Sequence, residues 1–464
     1  MKKISVFFIL FVFFSSATIL SSQQLTFNGK SYFINGVNIP WNMYASDFGT
    51  NYLHGNLYDT TWFENAFTQF ESYGINCARV WIHNDGNTSP TFDSTTKYIT
   101  GLDPVVLSSM DDMFKRALKH HVMIIPSLWS FNMTNNDYAL GVYGGMHADL
   151  IQDTSKTRSY INNALIPMVQ HYANQCNLLA WEIINEPEWS MNVPNGGNQT
   201  QVVNANQMQC FVGMCTEAIH KNSTKMVTVG SATLRYNSDE FSVTSPCYGN
   251  YWKNSAIQSA YNKPLAFLDF YEIHYYDWMN GVISFDPYKS GCQESFWLLD
   301  KPTLIGESQG NSTKHSPSTM LYNAFTGNYA GVMFWSYSAG ADSMGQFSEF
   351  KSALLAFRNA ASTIVDFDTT ACVTTTGINQ PFKENSISIY PNPTSGVFHI
   401  QAVSHQLIAN CQIQIYDMMG KCINQHIGTS SNFQIDLSSR ANGVYLVRII
   451  SGANVVYRKI SLAK

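Results

Sequence analysis

Two glutamates at the ends of predicted strands could carry acid–base or nucleophilic chemistry. Glu186 lies in the triplet Asn185-Glu186-Pro187, and Glu307 directly follows the short apolar run 304–306. Hydrolysis of a glycosidic bond needs such a pair, because one carboxylic acid protonates the leaving oxygen while one carboxylate attacks or activates water. A single strand-end glutamate is a weak signal, but the Asn-Glu-Pro triplet with a second such glutamate is much stronger. Glu186 and Glu307 are therefore the predicted catalytic pair.

The elements that must position this pair are short β-rich runs that alternate with longer amphipathic stretches. Eight runs occur, at residues 32–39, 77–82, 122–128, 178–184, 225–230, 270–274, 303–306 and 331–335. This alternation indicates a parallel sheet, and eight strands predict a (β/α)8 TIM barrel, of class α/β, over residues 25–365. A doubly wound open sheet is the alternative, but no glycine-rich phosphate loop follows the first strand. In a barrel the ends of all the strands that carry these residues meet at one face.

The composition limits the classes of partner. Of 464 residues, 45% are hydrophobic, 14% aromatic and only 13% charged, with a net charge of −5. The apolar content excludes wholesale disorder, and the charge gives no electrostatic footprint for nucleic acid or anionic membranes. Many aromatic residues with few charges suit a neutral, polar, stackable partner such as a sugar.

The N-terminus predicts export. Met1-Lys2-Lys3 supplies a positive start, residues 4–14 are almost wholly apolar, and small residues suited to cleavage follow up to residue 22. Residues 1–22 are therefore interpreted as a secretory signal peptide, since the apolar run is too short to span a bilayer. No later segment is long and apolar enough for a membrane span. The nine cysteines predict one or two disulfides in an oxidising compartment, with no pairing assignable.

The C-terminal part changes character. Residues 366–385 are rich in Thr, with Gly377 and Pro381, and are predicted to be a linker. Residues 386–464 contain short runs of alternating apolar and polar residues separated by turn signals. This pattern predicts a small antiparallel β-sandwich.

The barrel region resembles glycoside hydrolase family 5, a retaining family with a (β/α)8 fold, and the matching motifs fall on successive strands. In this resemblance Glu307 matches the nucleophile and Glu186 the acid/base. Arg79, in Ala78-Arg79-Val80-Trp81, matches the arginine that keeps the nucleophile ionised. Asn185 matches the residue that hydrogen-bonds the sugar 2-hydroxyl. An arginine near Glu307 would lower its pKa, and Glu186 would have to stay protonated near neutral pH.

Three further substrate-binding residues follow from the resemblance. His274 and Tyr276 match a pair on the sixth strand, and Trp335 matches the aromatic platform under the sugar at the cleavage point. Tyr276 could donate a hydrogen bond to Glu307. A retaining family implies two carboxyl groups about 5 to 5.5 Å apart and a covalent glycosyl-enzyme intermediate.

Several other polar and aromatic residues have simpler interpretations. Glu182 is expected to be structural, as are three histidines that lack partners at metal-ligand spacing: His83, His120 and His121. Three tryptophans after strands could either stack on sugars or anchor loops: Trp129, Trp189 and Trp278. No metal and no cofactor are expected.

The substrate prediction favours a plant-type polysaccharide. Residues 126–130 lack the histidine of an Asp-Trp-His motif that many family 5 cellulases carry on the third strand. The Arg-Val-Trp of the second strand and the His-Tyr-Tyr-Asp-Trp of the sixth look more like the β-mannanase branches. These features predict an endo-β-1,4-mannanase, with an endo-β-1,4-glucanase as the alternative, because mannose and glucose differ only at the 2-hydroxyl. An alternative to any enzyme is a surface glycan-binding protein built on a barrel that has no catalytic activity.

The C-terminal segment resembles the sorting domain of the Bacteroidetes type IX secretion system. The resemblance rests on Tyr390-Pro391-Asn392-Pro393, on Asn442-Gly443-Val444-Tyr445 and on the basic end of the chain. It implies the type IX machinery as a partner, a bacterial source, and an extracellular or cell-surface protein. A carbohydrate-binding sandwich is the alternative, although this segment contains no Trp.

Overall fold

The computed structural model describes residues 24–51, 54–137, 144–239, 248–279, 285–289, 299–338, 343–372, 387–402, 411–417, 422–428, 432–451 and 454–464. The predicted signal peptide, residues 1–22, lies outside these ranges, as does most of the predicted linker. Among the described residues, none of the helices combines the length and apolar character needed to cross a membrane.

Eight parallel strands close into a barrel in sequential order, which confirms the predicted fold class. The strands are β1 (Ile34–Ile39), β2 (Cys77–Asn84), β3 (Met123–Ser130), β4 (Ala180–Asn185), β5 (Met226–Ser231), β6 (Tyr271–Tyr275), β7 (Thr303–Gln309) and β8 (Gly331–Trp335). They coincide with the eight runs predicted from the sequence. Most of these strands are buried along their whole length, because helices cover the outside of the barrel while side chains fill its inside.

Helices follow the strands and pack their apolar faces on them. They are α1 (Thr60–Ser72), α2 (Pro104–Lys119), α3 (Ala148–Gln152), α4 (Thr154–Tyr160), α5 (Ile166–His171), α6 (Ala205–Asn222), α7 (Asn254–Ala260), α8 (Pro317–Thr326) and α9 (Phe347–Val365). In α1 the buried residues recur at helical spacing, Phe63, Ala66, Phe67 and Phe70. Its first turn is capped by Asp59, whose carboxylate accepts hydrogen bonds from the backbone N–H groups of the next residues.

The start of the predicted linker packs against the barrel. Phe367 is buried, and the backbone N–H of Asp368 donates to the Tyr32 hydroxyl at 3.2 Å. Residues Thr369–Cys372 form a 3₁₀ turn, and a disulfide joins Cys372 to Cys176, which lies just before β4. Because the bridge lies near the N-terminal ends of the strands, it is remote from the face that carries the predicted site. Residues 366–372 therefore pack on the barrel rather than run free as a linker.

The C-terminal segment forms two antiparallel sheets. The strands are β9 (Ile387–Tyr390), β10 (Val397–Ala402), β11 (Cys411–Tyr416), β12 (Cys422–Gly428), β13 (Asn432–Asp436), β14 (Gly443–Ser451) and β15 (Asn454–Leu462). One sheet has the order β9-β10-β13 and the other β12-β11-β14-β15. Phe398 and Ile435 of the first sheet share one buried cluster with Ile413 and Val447 of the second. The hydroxyl of Tyr445 donates back to the carbonyl of Ala441 at 2.7 Å, a feature also found in immunoglobulin-like sandwiches.

Candidate active site

Arg79 is the centre of a buried polar cluster at the C-terminal end of the barrel. It lies on β2, is fully buried, and donates to Glu307 Oε1 at 2.7 Å and to Asn185 Oδ1 at 2.6 Å. A third hydrogen bond, at 3.0 Å, goes to Asn38 Oδ1 on β1. Strands β1, β2, β4 and β7 therefore supply one connected network, which only closure of the barrel can assemble.

Glu307 on β7 is almost wholly buried and is held by two donors. The Tyr276 hydroxyl donates to Oε2 at 2.5 Å, while Arg79 occupies Oε1. Burial raises the pKa of Glu307 above its ordinary value, and the positive charge of Arg79 and the Tyr276 hydrogen bond act against that rise. Arg79 therefore acts in the predicted direction, lowering the pKa of Glu307, but burial is the larger effect and the net pKa is raised.

Glu186 follows β4 in a left-handed backbone conformation, with φ 48° and ψ 50°. A non-glycine residue rarely adopts this conformation, and here it turns the chain from β4 into the short 3₁₀ helix Pro187–Ser190. The Glu186 N–H donates to the Gly230 carbonyl at 2.6 Å, which fixes the turn against β5. Its carboxylate accepts from the indole N–H of Trp189 at 2.8 Å. Burial raises the pKa of Glu186 to about 7, so the carboxyl can hold a proton near neutral pH.

His274 on β6 stands between the two glutamates. Its Nδ1 is 2.8 Å from Glu186 Oε1 and 3.5 Å from Glu307 Oε2. Burial lowers the pKa of His274 to about 4, so the ring is neutral in the working range of the site. One carboxylate oxygen of each glutamate and one ring nitrogen of His274 all lie within 4.8 Å of one another. The two carboxyl groups are therefore close enough for the spacing of a retaining glycosidase.

Trp335 forms an aromatic wall beside this network. Its ring meets Trp81 edge-on at 5.5 Å and Trp41 at 6.3 Å between ring centroids. The Arg79 guanidinium lies 4.2 Å from the Trp81 ring centroid. The structure thus brings all seven predicted site residues into one connected group.

The structure distinguishes the three tryptophans that follow strands. Trp189 contacts Glu186, and its ring lies 6.5 Å from that of Trp278, which is 44% exposed. Trp129, by contrast, is fully buried and packs against His83 and Tyr160, so it anchors the core instead of meeting a sugar.

Glu188 was missed by sequence reasoning. It is fully buried and accepts hydrogen bonds from Ser231 Oγ at 2.8 Å, Ala232 N at 3.0 Å and Trp252 Nε1 at 2.6 Å. It therefore ties the turn that carries Glu186 and Trp189 to the end of β5. No sequence pattern identifies it, because its partners come from distant parts of the chain.

The histidines away from the site have structural partners. His120 lies between Glu71 and Glu64, at 2.7 Å and 3.2 Å, and His83 contacts Ser89 Oγ at 2.9 Å. In the part of the chain that the structure describes, one group of three residues has the ligand types and spacing for a metal ion. That group is Glu186 and Glu307 with His274, the three residues whose contacts are described above.

Comparisons with known proteins identify relatives over most of the barrel region. A mannan endo-1,4-β-mannosidase from Mytilus edulis is 30% identical over 337 residues, which cover 68% of this chain and 87% of the relative. The chain belongs to the mannan endo-1,4-β-mannosidase family. A second relative of that name, from Cryptopygus antarcticus, is 29% identical over 347 residues, covering 71% of this chain and 86% of the relative.

A solved structure supports the same family. The endo-1,4-β-mannanase from Eisenia fetida has a TM-score of 0.64 and 28% sequence identity, and the match covers 72% of this chain and 93% of that one. The resemblance to glycoside hydrolase family 5 is confirmed, and the chain is an O-glycosyl hydrolase. The alternative of a non-catalytic glycan-binding barrel was wrong.

Two family descriptions match parts of the chain. "Secretion system C-terminal sorting domain" matches residues 388–463, which agrees with the predicted C-terminal segment. "Yeast-specific zinc responsive" matches residues 65–248, less than half of the chain. That stretch includes Glu186 but neither His274 nor Glu307, so it carries no argument for a metal site.

Proposed function

We propose that this protein hydrolyses β-1,4-linked mannan or glucomannan internally, as a retaining endo-β-1,4-mannanase. The observation that carries the proposal is the proximity of Glu186 and Glu307. One carboxylate oxygen of each lies within 4.8 Å of the other and of a ring nitrogen of His274, which stands between them. The names of the relatives supply the substrate class, because the Mytilus edulis and Cryptopygus antarcticus proteins are mannan endo-1,4-β-mannosidases.

In the first step Glu307 is the nucleophile and Glu186 the acid. Arg79 and Tyr276 hold both oxygens of Glu307, so the carboxylate is oriented before substrate arrives. A bond forms between a Glu307 oxygen and the anomeric carbon while the glycosidic bond breaks. The leaving oxygen takes the proton of Glu186, whose pKa of about 7 allows it to be protonated near neutral pH.

In the second step the roles of Glu186 change. As a carboxylate it removes a proton from water, the water oxygen bonds to the anomeric carbon, and Glu307 leaves as a carboxylate. Oδ1 of Asn185 accepts from Arg79, so the amide N–H groups are the part of Asn185 that would donate to the sugar 2-hydroxyl. Trp335 is the platform on which that sugar would stack.

The route of export is part of the proposal. Residues 1–22 would direct the chain across the inner membrane, and the sorting domain would direct it through the type IX machinery. The enzyme would then act outside a bacterial cell, released or held on its surface. No nucleic acid and no cofactor enter this scheme.

The substrate is tested with glucomannan and the purified protein without residues 1–22. We expect new reducing ends that are predominantly mannose, with long fragments appearing before short ones. Predominantly glucose ends would replace the mannanase proposal with a β-glucanase. No new ends from glucomannan, galactomannan or plain mannan would contradict the proposal outright.

The assignment of the two glutamates is tested by rescue with azide on an activated aryl β-mannoside. Glu307→Ala should lose turnover and, with azide, give the α-glycosyl azide, because azide attacks the face that Glu307 has vacated. Glu186→Ala should give the β-glycosyl azide from the glycosyl-enzyme. The opposite stereochemistry, or full turnover in Glu307→Ala, would reverse or refute the roles.

A further inference from the structure

Three buried carboxyl groups surround the single guanidinium of Arg79. Glu182 contacts its Nε, Glu272 contacts the same Nε at 2.9 Å, and Glu307 contacts NH1 at 2.7 Å. The side chains of Glu182 and Glu272 are completely buried and that of Glu307 is 4% exposed. If all three were ionised, the group would hold three negative charges against one positive charge in a buried environment, where bulk solvent screens charges only weakly.

The first two carboxyl groups are held very differently. Glu182 receives a forked pair of hydrogen bonds from Arg79, from Nε and, at 2.7 Å, from NH2. This is the bidentate arrangement in which arginine best stabilises an anion. Among the described residues, none donates a hydrogen bond to either oxygen of Glu272, because the one N–H of Arg79 Nε already points to Glu182.

The barrel nevertheless provides a shaped space for each carboxyl group. A Cβ atom at Gly306 would lie 2.2 Å from Glu272 Oε1, and one at Gly230 would lie 2.6 Å from Glu182 Oε1. Glycine on the neighbouring strand therefore leaves room for both side chains. Their presence beneath the two catalytic glutamates is a built feature of the site.

The charges that face Glu272 favour its neutral form. Burial, Glu182 and Glu307 all raise the pKa of Glu272 well above its ordinary value, while Arg79 lowers it. Cys77 also lies beside it, and burial raises the pKa of this thiol, so Cys77 is neutral. His274 on the same strand is neutral as well, because burial lowers its pKa to about 4.

We propose that Glu272 keeps its proton throughout the reaction, whereas Glu182 is the permanent anion that orients Arg79. The Glu272 hydroxyl would donate to Glu182, since both carboxyl groups approach the same nitrogen of Arg79. The proposal rests on Glu307 as the nucleophile. With Glu272 neutral, Arg79, Glu182 and Glu307 together carry one negative charge, and formation of the glycosyl ester of Glu307 leaves the Arg79–Glu182 pair with no net charge. Glu182 and Glu272 are positioning residues, since neither would touch the substrate.

The matched variants Glu272→Gln and Glu182→Gln test this. An amide imitates a protonated carboxyl, so Glu272→Gln should keep kcat/KM within about threefold and leave the acidic limb of its pH profile in place. Glu182→Gln removes a real negative charge near Glu307. Its acidic limb should move to lower pH by about one unit, with a fall in kcat as Arg79 loses its forked partner. If Glu272→Gln moved the acidic limb as Glu182→Gln does, Glu272 would be an anion and the proposal would be overturned.

Infrared spectroscopy of the wild-type protein is a second test of the protonation state of Glu272. It requires no turnover, and it does not depend on whether the Glu272→Gln variant folds. At about pH 9, roughly two units above the pKa values of Glu186 and Glu188, those two groups are ionised. The wild-type protein should still show the carbonyl band of a buried protonated carboxyl group, and Glu186→Gln should keep it. Absence of that band would refute the proposal. Because the band is read without substrate, it also separates this proposal from failure of the mannanase assignment.

Discussion

Replacement of Trp189 by Phe should move the basic limb of the pH–rate profile to higher pH. The Trp189 indole N–H donates to Glu186 Oε2 at 2.8 Å, and this bond stabilises the carboxylate form. It therefore lowers the pKa of Glu186 against the larger effect of burial, which leaves the pKa at about 7. Phe keeps an aromatic ring but has no donor, so the carboxylate loses its partner and the acid becomes weaker.

The size of the shift follows from the strength of the bond. A hydrogen bond to a charged group contributes about 1.5 to 3 kcal/mol, and 1.36 kcal/mol corresponds to one pKa unit. The Glu186 side chain is 12% exposed, so water can replace part of the lost bond. We therefore expect a rise of about one unit, from about 7 to about 8.

The measurement is kcat/KM on a soluble mannan substrate across the pH range, because this ratio reports the free enzyme's essential acid. Trp278→Phe is the matched control, since Trp278 contacts Trp189 but has no hydrogen bond to Glu186 among the described residues. A loss of sugar stacking would raise KM in both variants without a change in the limb. A basic limb that stays near 7 in Trp189→Phe, or moves equally in Trp278→Phe, would refute the reasoning.

Three further variants probe the site and its support. Tyr276→Phe removes the hydroxyl that donates to Glu307 Oε2 at 2.5 Å, and kcat/KM should fall roughly 10- to 100-fold while the protein still unfolds in one cooperative thermal transition; an unchanged kcat/KM would contradict the role. Glu188→Ala leaves three buried donors unpaired, so urea denaturation should show a loss of about 3 kcal/mol; a loss below about 1 kcal/mol would show that the turn is held otherwise. Cys176→Ser opens the bridge to Cys372, and the unfolding free energy should fall by about 2 to 4 kcal/mol while turnover persists. Reductant should destabilise the wild type but not this variant, and equal sensitivity would argue against the bridge.

The two glutamates were readable from the sequence because they lie near the C-terminal ends of strands in a regular alternation, whereas Arg79, the third residue of β2, was identified from the resemblance to glycoside hydrolase family 5. The spacing of Glu186 and Glu307 on the fourth and seventh strands already implied a common barrel face. Glu182 illustrates the limit of this reasoning. Its strand position suggested a structural side chain. Only the structure shows that it accepts hydrogen bonds from Arg79, which also donates a hydrogen bond to Glu307. Glu272 was not distinguishable at all, because a buried carboxyl group in an apolar strand has no signature of its own.

The sequence by itself determined the order of strands and helices, the change to a β-sandwich near residue 386, and the residue types at the catalytic face. Local periodicity and turn chemistry are short-range properties, so they can be read along the chain. Only the tertiary structure decided which carboxyl groups meet Arg79, which tryptophan donates to Glu186, and that Cys176 pairs with Cys372. These contacts join residues far apart in the chain, and the burial that raises the pKa of Glu186 to about 7 exists only after the barrel has closed.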